Sequence, residues 1–107
     1  MAYAQQTAKR AVQTVLYVGA GAWVACEAST GAITNRNTVK VFNSGTGGAS
    51  RIALSYDNTI DISKAAHWIG AGQFVVEPAS AGLTLYARAK LASGVNSIRI
   101  VVTEYSE

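Results

Sequence analysis

Apolar and polar residues alternate along this chain in short runs, and each run closes in a cluster of glycine, asparagine or serine. The clearest run is Thr38 to Asn43, with Val39 and Val41 on one face and Lys40 and Phe42 on the other. Asn43-Ser44-Gly45-Thr46-Gly47-Gly48 closes it as a turn-forming segment. Arg51 to Tyr56 repeats the period, setting Ile52, Leu54 and Tyr56 against Arg51, Ala53 and Ser55, and these two runs are the best-determined pair of strands. Upstream, Val12 to Val18 and Ala22 to Ala28 read as a first hairpin joined at Gly19-Ala20-Gly21, where glycine supplies the positive φ of a tight turn. Thr30 to Asn37 carries mixed turn formers and reads as a loop.

Downstream, Asp57 to Ala66 is the least regular stretch and reads as loop, although Ile60, Ile62, Ala65 and Ala66 would support a single helical turn. His67 to Gly72 leads into a strand from Gln73 to Glu77, which Pro78 ends by withdrawing a ladder donor. Leu83 to Ala89 sets Leu85 and Ala87 against Tyr86 and Arg88, and a turn at Ala92-Ser93-Gly94 follows. Ser97 to Tyr105 is the longest β-branched run, with Ile98, Ile100 and Val102 facing inward. No amphipathic helix separates these runs. The pattern predicts an all-β fold, an antiparallel β-sandwich or jelly-roll-like barrel of about seven to eight short strands.

A length of 107 residues fits one domain, and a chain of this size buries roughly 65% of its extended surface. Residues 1–9 lack a period and read as an N-terminal arm; residues 10–107 form the single β-sandwich domain. Ten extended residues reach roughly 33–36 Å, enough to cross a subunit boundary. The segment reads either as an arm ordered by a neighbour, with Tyr3, Gln5, Gln6, Lys9 and Arg10 as the candidate partner-binding residues, or as a frayed terminus.

Composition narrows the function classes. Half the residues are apolar and 14% are charged, which opposes disorder. So low a charge density suits a surface that packs against copies of itself or a partner. The net charge of +3 comes from basic residues spread between Lys9 and Arg99, without the stripe of a nucleic-acid binder, so no nucleic-acid partner is expected. The N-terminus has no apolar core of a secretion signal. The uncharged run from Ala11 to Cys26 is too short, and too interrupted by Gln13, Thr14, Gly19 and Gly21, to span a bilayer core of about 30 Å. No membrane partner is expected, and no asparagine begins a glycosylation sequon.

The chemistry on offer is sparse. Cys26 is the single cysteine, so neither an internal disulfide nor a cysteine metal cluster can form, and Ala22-Trp23-Val24-Ala25-Cys26 makes it a small buried hydrophobe. His67 is the single histidine; beside Trp68 it reads as a turn residue whose ring bridges backbone groups. There is no Gly-x-Ser-x-Gly elbow, and no compact zinc-ligand set. Asp57 and Asp61 flank Asn58-Thr59 as a solvated loop rather than a calcium hand. No catalytic residue, cofactor or metal is expected. Trp23, Trp68, Tyr17, Tyr86 and Tyr105 would make a sugar-stacking platform if bare, but tryptophan favours cores and interfaces, and Trp23 and Trp68 are expected there.

Val39-Lys40-Val41-Phe42-Asn43-Ser44-Gly45, Arg51-Ile52-Ala53-Leu54, Ile69-Gly70-Ala71-Gly72-Gln73, Leu85-Tyr86-Ala87-Arg88-Ala89 and Ile98-Arg99-Ile100-Val101-Val102-Thr103-Glu104 together resemble small structural proteins of tailed bacteriophages. The resemblance is to capsid decoration (cement) and head-fibre β-modules, and it covers about two-thirds of the chain. It implies a virion component on the capsid surface, set at symmetry-related sites of the shell, trimeric, with the major capsid protein as partner. A phage tail or neck component is the nearest alternative. A lectin-like glycan-binding module and a small hydrolase are alternatives of other classes. A glycan binder needs Trp23, Trp68 or Tyr86 bare in a shallow groove, and a hydrolase needs His67 in a cleft beside an acid or Cys26.

Overall fold

The structure, a computed structural model, describes residues 10–45, 50–65 and 67–107. The expected arm, residues 1–9, lies outside the described residues. The remainder forms strands β1 (Arg10–Val18), β2 (Val24–Ala25), β3 (Arg36–Asn43), β4 (Arg51–Ser55), β5 (His67–Gly70), β6 (Phe74–Pro78), β7 (Tyr86–Lys90) and β8 (Ile98–Ser106). A single 3-10 turn, Ile62–Lys64, interrupts the irregular segment after β4, and Asp61 caps it by accepting a hydrogen bond from the Ser63 backbone N–H.

Two four-stranded antiparallel sheets face each other, a front sheet in the order β1-β8-β3-β6 and a back sheet in the order β2-β7-β4-β5. The first strand pairs with the last, the second with the seventh, the third with the sixth and the fourth with the fifth. The chain is thus one long antiparallel ribbon with its tip between β4 and β5, rolled so that β3 also meets β8 and β4 also meets β7. This is the jelly-roll arrangement of an antiparallel sandwich.

The alternation read from the sequence places the core. Val39 and Val41 of β3, Ile52 and Leu54 of β4, Ile69 of β5, Ala87 and Ala89 of β7, and Ile98, Ile100 and Val102 of β8 are all buried between the sheets, with Val18, Cys26 and Leu85. Each fully buried Ile, Leu or Val contributes about 1.5–3 kcal/mol relative to exposure. Glycine matters most at Gly72, whose φ of +80° makes the tight turn from β5 in the back sheet to β6 in the front sheet. Pro78 is the last residue of β6, an edge strand where a missing N–H is tolerated.

The first hairpin is not formed. β1 lies in the front sheet and β2, only two residues long, in the back sheet. Gly19-Ala20-Gly21 does turn the chain, but it docks on β7: the Gly19 carbonyl accepts from the Ala89 N–H at 3.1 Å and the Ala20 carbonyl from Arg88 Nε at 2.8 Å. A turn-forming tripeptide is equally suited to folding a chain back within a sheet and to carrying it from one sheet to the other. β3 and β4 are likewise both strands, in opposite sheets.

Candidate functional site

Strand parity and register define two outer faces. On the front sheet, Val15 of β1, Val101 of β8, Phe42 of β3 and Phe74 of β6 are successive cross-strand partners, an apolar row across all four strands. The rows on either side bring Gln13, Thr103, Lys40 and Val76 into line, and set Tyr17 opposite Arg99. Four large apolar side chains of this face are open to solvent: Val15 (44%), Tyr17 (67%), Phe74 (56%) and Val76 (54%). Lys40 lies with its Nζ 4.5 Å from the centre of the Phe74 ring, and no carboxylate occupies an outward position on these four strands.

The outer face of the back sheet differs. Here Arg88, Ala53 and Trp68 form one row, and Lys90, Arg51 and Gly70 the next. The Arg51 guanidinium sits 5.0 Å from the centre of the Trp68 ring. Ala53, in register between Arg88 and Trp68, is fully buried although it faces outward. Basic residues that are far apart along the chain are thus neighbours on this sheet.

A polar network fastens one end of the sandwich. Arg36 and Glu104 are both buried, with Nη1 3.0 Å from Oε2, and Glu27 adds a second carboxylate 3.4 Å from Nη1. Glu104 also accepts from the backbone N–H groups of Ala28 and Ile33, while Arg36 donates to the carbonyls of Ala79, Ser80 and Leu83. Every buried side-chain nitrogen or oxygen among the described residues has a partner, and this network ties two loops, β2–β3 and β6–β7, to strands β3 and β8. Its role is to hold the fold, since no face of the Arg36–Glu104 pair is open to a ligand.

Of the candidate partner-binding residues, Tyr3, Gln5, Gln6 and Lys9 lie outside the described residues. Arg10 is the exposed first residue of β1, opposite Ser106. Cys26 is buried, and burial, ahead of the neighbouring Glu27 charge, pushes its thiol up to about 12. It follows β2 at one edge of the back sheet, whereas His67 begins β5 at the other edge, about 14 Å away by strand spacing. His67 is half exposed and does not bridge backbone groups as expected; its Nε2 lies 3.2 Å from Glu77 Oε1, joining the adjacent edges of the two sheets. Tyr56 reinforces this junction by donating to the Pro78 carbonyl at 2.9 Å.

His67 therefore has an acid beside it, in a recess also lined by Ser55, Tyr56 and Lys64. The Ser55 hydroxyl there is engaged with the backbone of Asp57, donating to its carbonyl and accepting from its N–H. Asp57 and Asp61 each fold into a local turn with Thr59 and Ser63, and those hydrogen bonds hold both carboxyls below the usual range. Neither tryptophan offers a bare ring. Trp23 is half-buried and donates through Nε1 to the Ile60 carbonyl at 3.1 Å, and Trp68 is half-buried beneath Arg51.

Sequence reasoning missed the Arg36 network and the gathering of cations on the back sheet. Glu104 was visible as the next member of the inward series Ile98, Ile100, Val102; the cross-strand neighbours of Arg51 were not, because register is set by long-range pairing. Among the described residues no group of three His, Cys, Asp or Glu side chains is placed to hold a metal, and no helix is long and apolar enough to cross a membrane. No family model matches the chain, and no curated protein matches its sequence.

Proposed function

We propose that this chain is a non-catalytic structural protein of a tailed-bacteriophage virion, which decorates or stabilises the capsid through protein–protein contacts. The observation that carries the reading is the exposed apolar row of the front sheet, Val15-Val101-Phe42-Phe74, flanked by Val76 and Tyr17. A contiguous apolar patch on a sheet face is costly to leave in water and marks a surface meant to be covered. The jelly-roll hosts capsid proteins, lectins and cupins alike, so the fold does not select among them. The exposed Tyr17 lines a recess with Asn43, Ser44, Ser97 and Arg99, the place where a glycan binder would stack a sugar. The apolar row beside it crosses all four strands, and that breadth supports docking on protein. The resemblance of the strands from Thr38 to Tyr105 to decoration and head-fibre modules supports the same class, with a homotrimer on the major capsid protein as the assembled form.

The test is the solution mass of the purified protein by light scattering across concentrations, together with co-sedimentation with capsid shells. A trimer that sediments with shells is expected. The Val15→Ser/Phe74→Ser variant is expected to stay folded by circular dichroism and to lose self-association or shell binding at least tenfold. A wild-type protein that is strictly monomeric and does not sediment with shells overturns the reading.

A further inference from the structure

Arg51 and Lys90 are direct cross-strand partners on the outer face of the back sheet, and both are exposed. Side chains at facing positions have Cβ atoms about 4.5–5.5 Å apart, and like charges placed so are destabilising. Arg88 stands one row further along β7 and adds a third cation. No carboxylate of the chain makes an ion pair with this cluster. All six carboxylates of the sequence lie among the described residues: Glu27 and Glu104 meet Arg36, Glu77 meets His67, Asp57 and Asp61 are folded into their own turns, and Glu107 follows β8. None makes an ion pair with Arg51, Arg88 or Lys90. Asp61 lies close enough for its charge and that of Arg88 to interact, yet beyond ion-pair distance.

We infer that the Arg51-Lys90-Arg88 face of the back sheet is a second docking surface, and that its partner is a carboxylate-rich protein surface. The chemistry favours carboxylates over nucleic acid or sugar. The Trp68 ring already carries the Arg51 guanidinium, and the other aromatic at an outward position here, Tyr86, is half-buried, so this face presents no exposed ring on which a base or a sugar could stack. The cations also form a compact cluster rather than the extended groove that tracks a phosphate backbone. A guanidinium held against an aromatic ring keeps its fork in place, which suits bidentate pairing with a carboxylate, and Lys90 supplies a point charge beside it. The inference does not rest on the virion assignment. It places an electrostatic contact on the side of the sandwich opposite the apolar one.

The test is fluorescence anisotropy with three labelled probes in 50 mM salt: an oligo-glutamate peptide, a single-stranded oligothymidylate and a heparin oligosaccharide. Oligo-glutamate is expected to bind the wild-type protein, to weaken at least tenfold in Lys90→Glu, and to weaken as salt rises to 200 mM. The Lys90→Glu variant replaces a like-charge pair with an opposite-charge one, so its melting temperature is expected to rise or hold; a folded variant with unchanged oligo-glutamate affinity overturns the proposal. So does a wild-type protein that ignores oligo-glutamate while binding oligothymidylate or heparin. Because self-association and shell binding are read separately, loss of the structural reading leaves this result standing, and the converse holds.

Discussion

Glu104 continues the inward series of β8 after Ile98, Ile100 and Val102, so strand parity turns a carboxylate into the core. It is tolerated there because Arg36 and two backbone N–H groups satisfy it. Breaking a buried ion pair from one side leaves an uncompensated charge and costs about 3–5 kcal/mol. Glu104→Gln, which keeps the shape, is expected near the lower figure because Glu27 still faces Arg36, a loss of at least roughly 12 °C in melting temperature. Apolar replacement of both partners rescues some buried pairs. It is not expected to do so here, because Arg36→Met/Glu104→Leu strands the N–H groups of Ala28 and Ile33 and three carbonyls. Urea unfolding of the single and double variants checks this; a double variant as stable as wild type would show the network to be dispensable. Half of the pair was legible in the sequence, Glu104 by its parity, but Arg36 was not. The odd-numbered residues Val39, Val41 and Asn43 are the buried ones of β3, and continued alternation would send Arg36 outward.

At the scale of the element, the reason Arg36 turns inward is a bulge. β3 pairs with β8 at Thr38↔Tyr105 and Arg36↔Ser106, so Asn37 is an extra residue in the ladder. One inserted residue reverses which side of the strand faces the core. Deleting Asn37 removes the extra residue, and simple alternation then keeps Arg36 inward opposite Ser106. The contact with Glu104 is expected to survive, and the loss of stability to stay well below that of Glu104→Gln. Urea unfolding checks this: a deletion variant as destabilised as Glu104→Gln would show that parity alone does not place the Arg36 guanidinium. The same scale explains which elements the sequence disclosed. The long runs of β3 and β8 alternate over most of their length, so the two faces of β3 were separated and the inward face of β8 was identified. β2 is two residues long and its partner β7 lies some sixty residues away, so local turn chemistry at Gly19-Ala20-Gly21 favoured a hairpin that the tertiary pairing overrides.

For the molecule as a whole, no carboxylate occupies an outward position on either sheet while cations and apolar side chains do, so the proposed docking surfaces and the stability of the fold depend on different residues. That separation extends to the pH response. Burial raises the Cys26 thiol from its ordinary value near 9 to about 12. Between those values the folded state holds a proton that the unfolded state releases, so stability falls as pH rises through the window. Tyr56 acts in the same direction, because burial and then the Glu77 carboxylate raise its hydroxyl above 10. On the acid side the sign reverses: Asp57 and Asp61 are depressed by hydrogen bonds from Thr59 and Ser63, and their contribution is lost as pH falls through their lowered values. The alkaline limb separates these groups experimentally. Urea midpoints measured from pH 8 to 11 are expected to decline above about pH 9 in the wild type and less steeply in Cys26→Ala, whose small cavity lowers stability equally at every pH. Parallel declines in the two proteins would assign the alkaline loss to Tyr56 instead, and a Tyr56→Phe series would then carry the shallower slope.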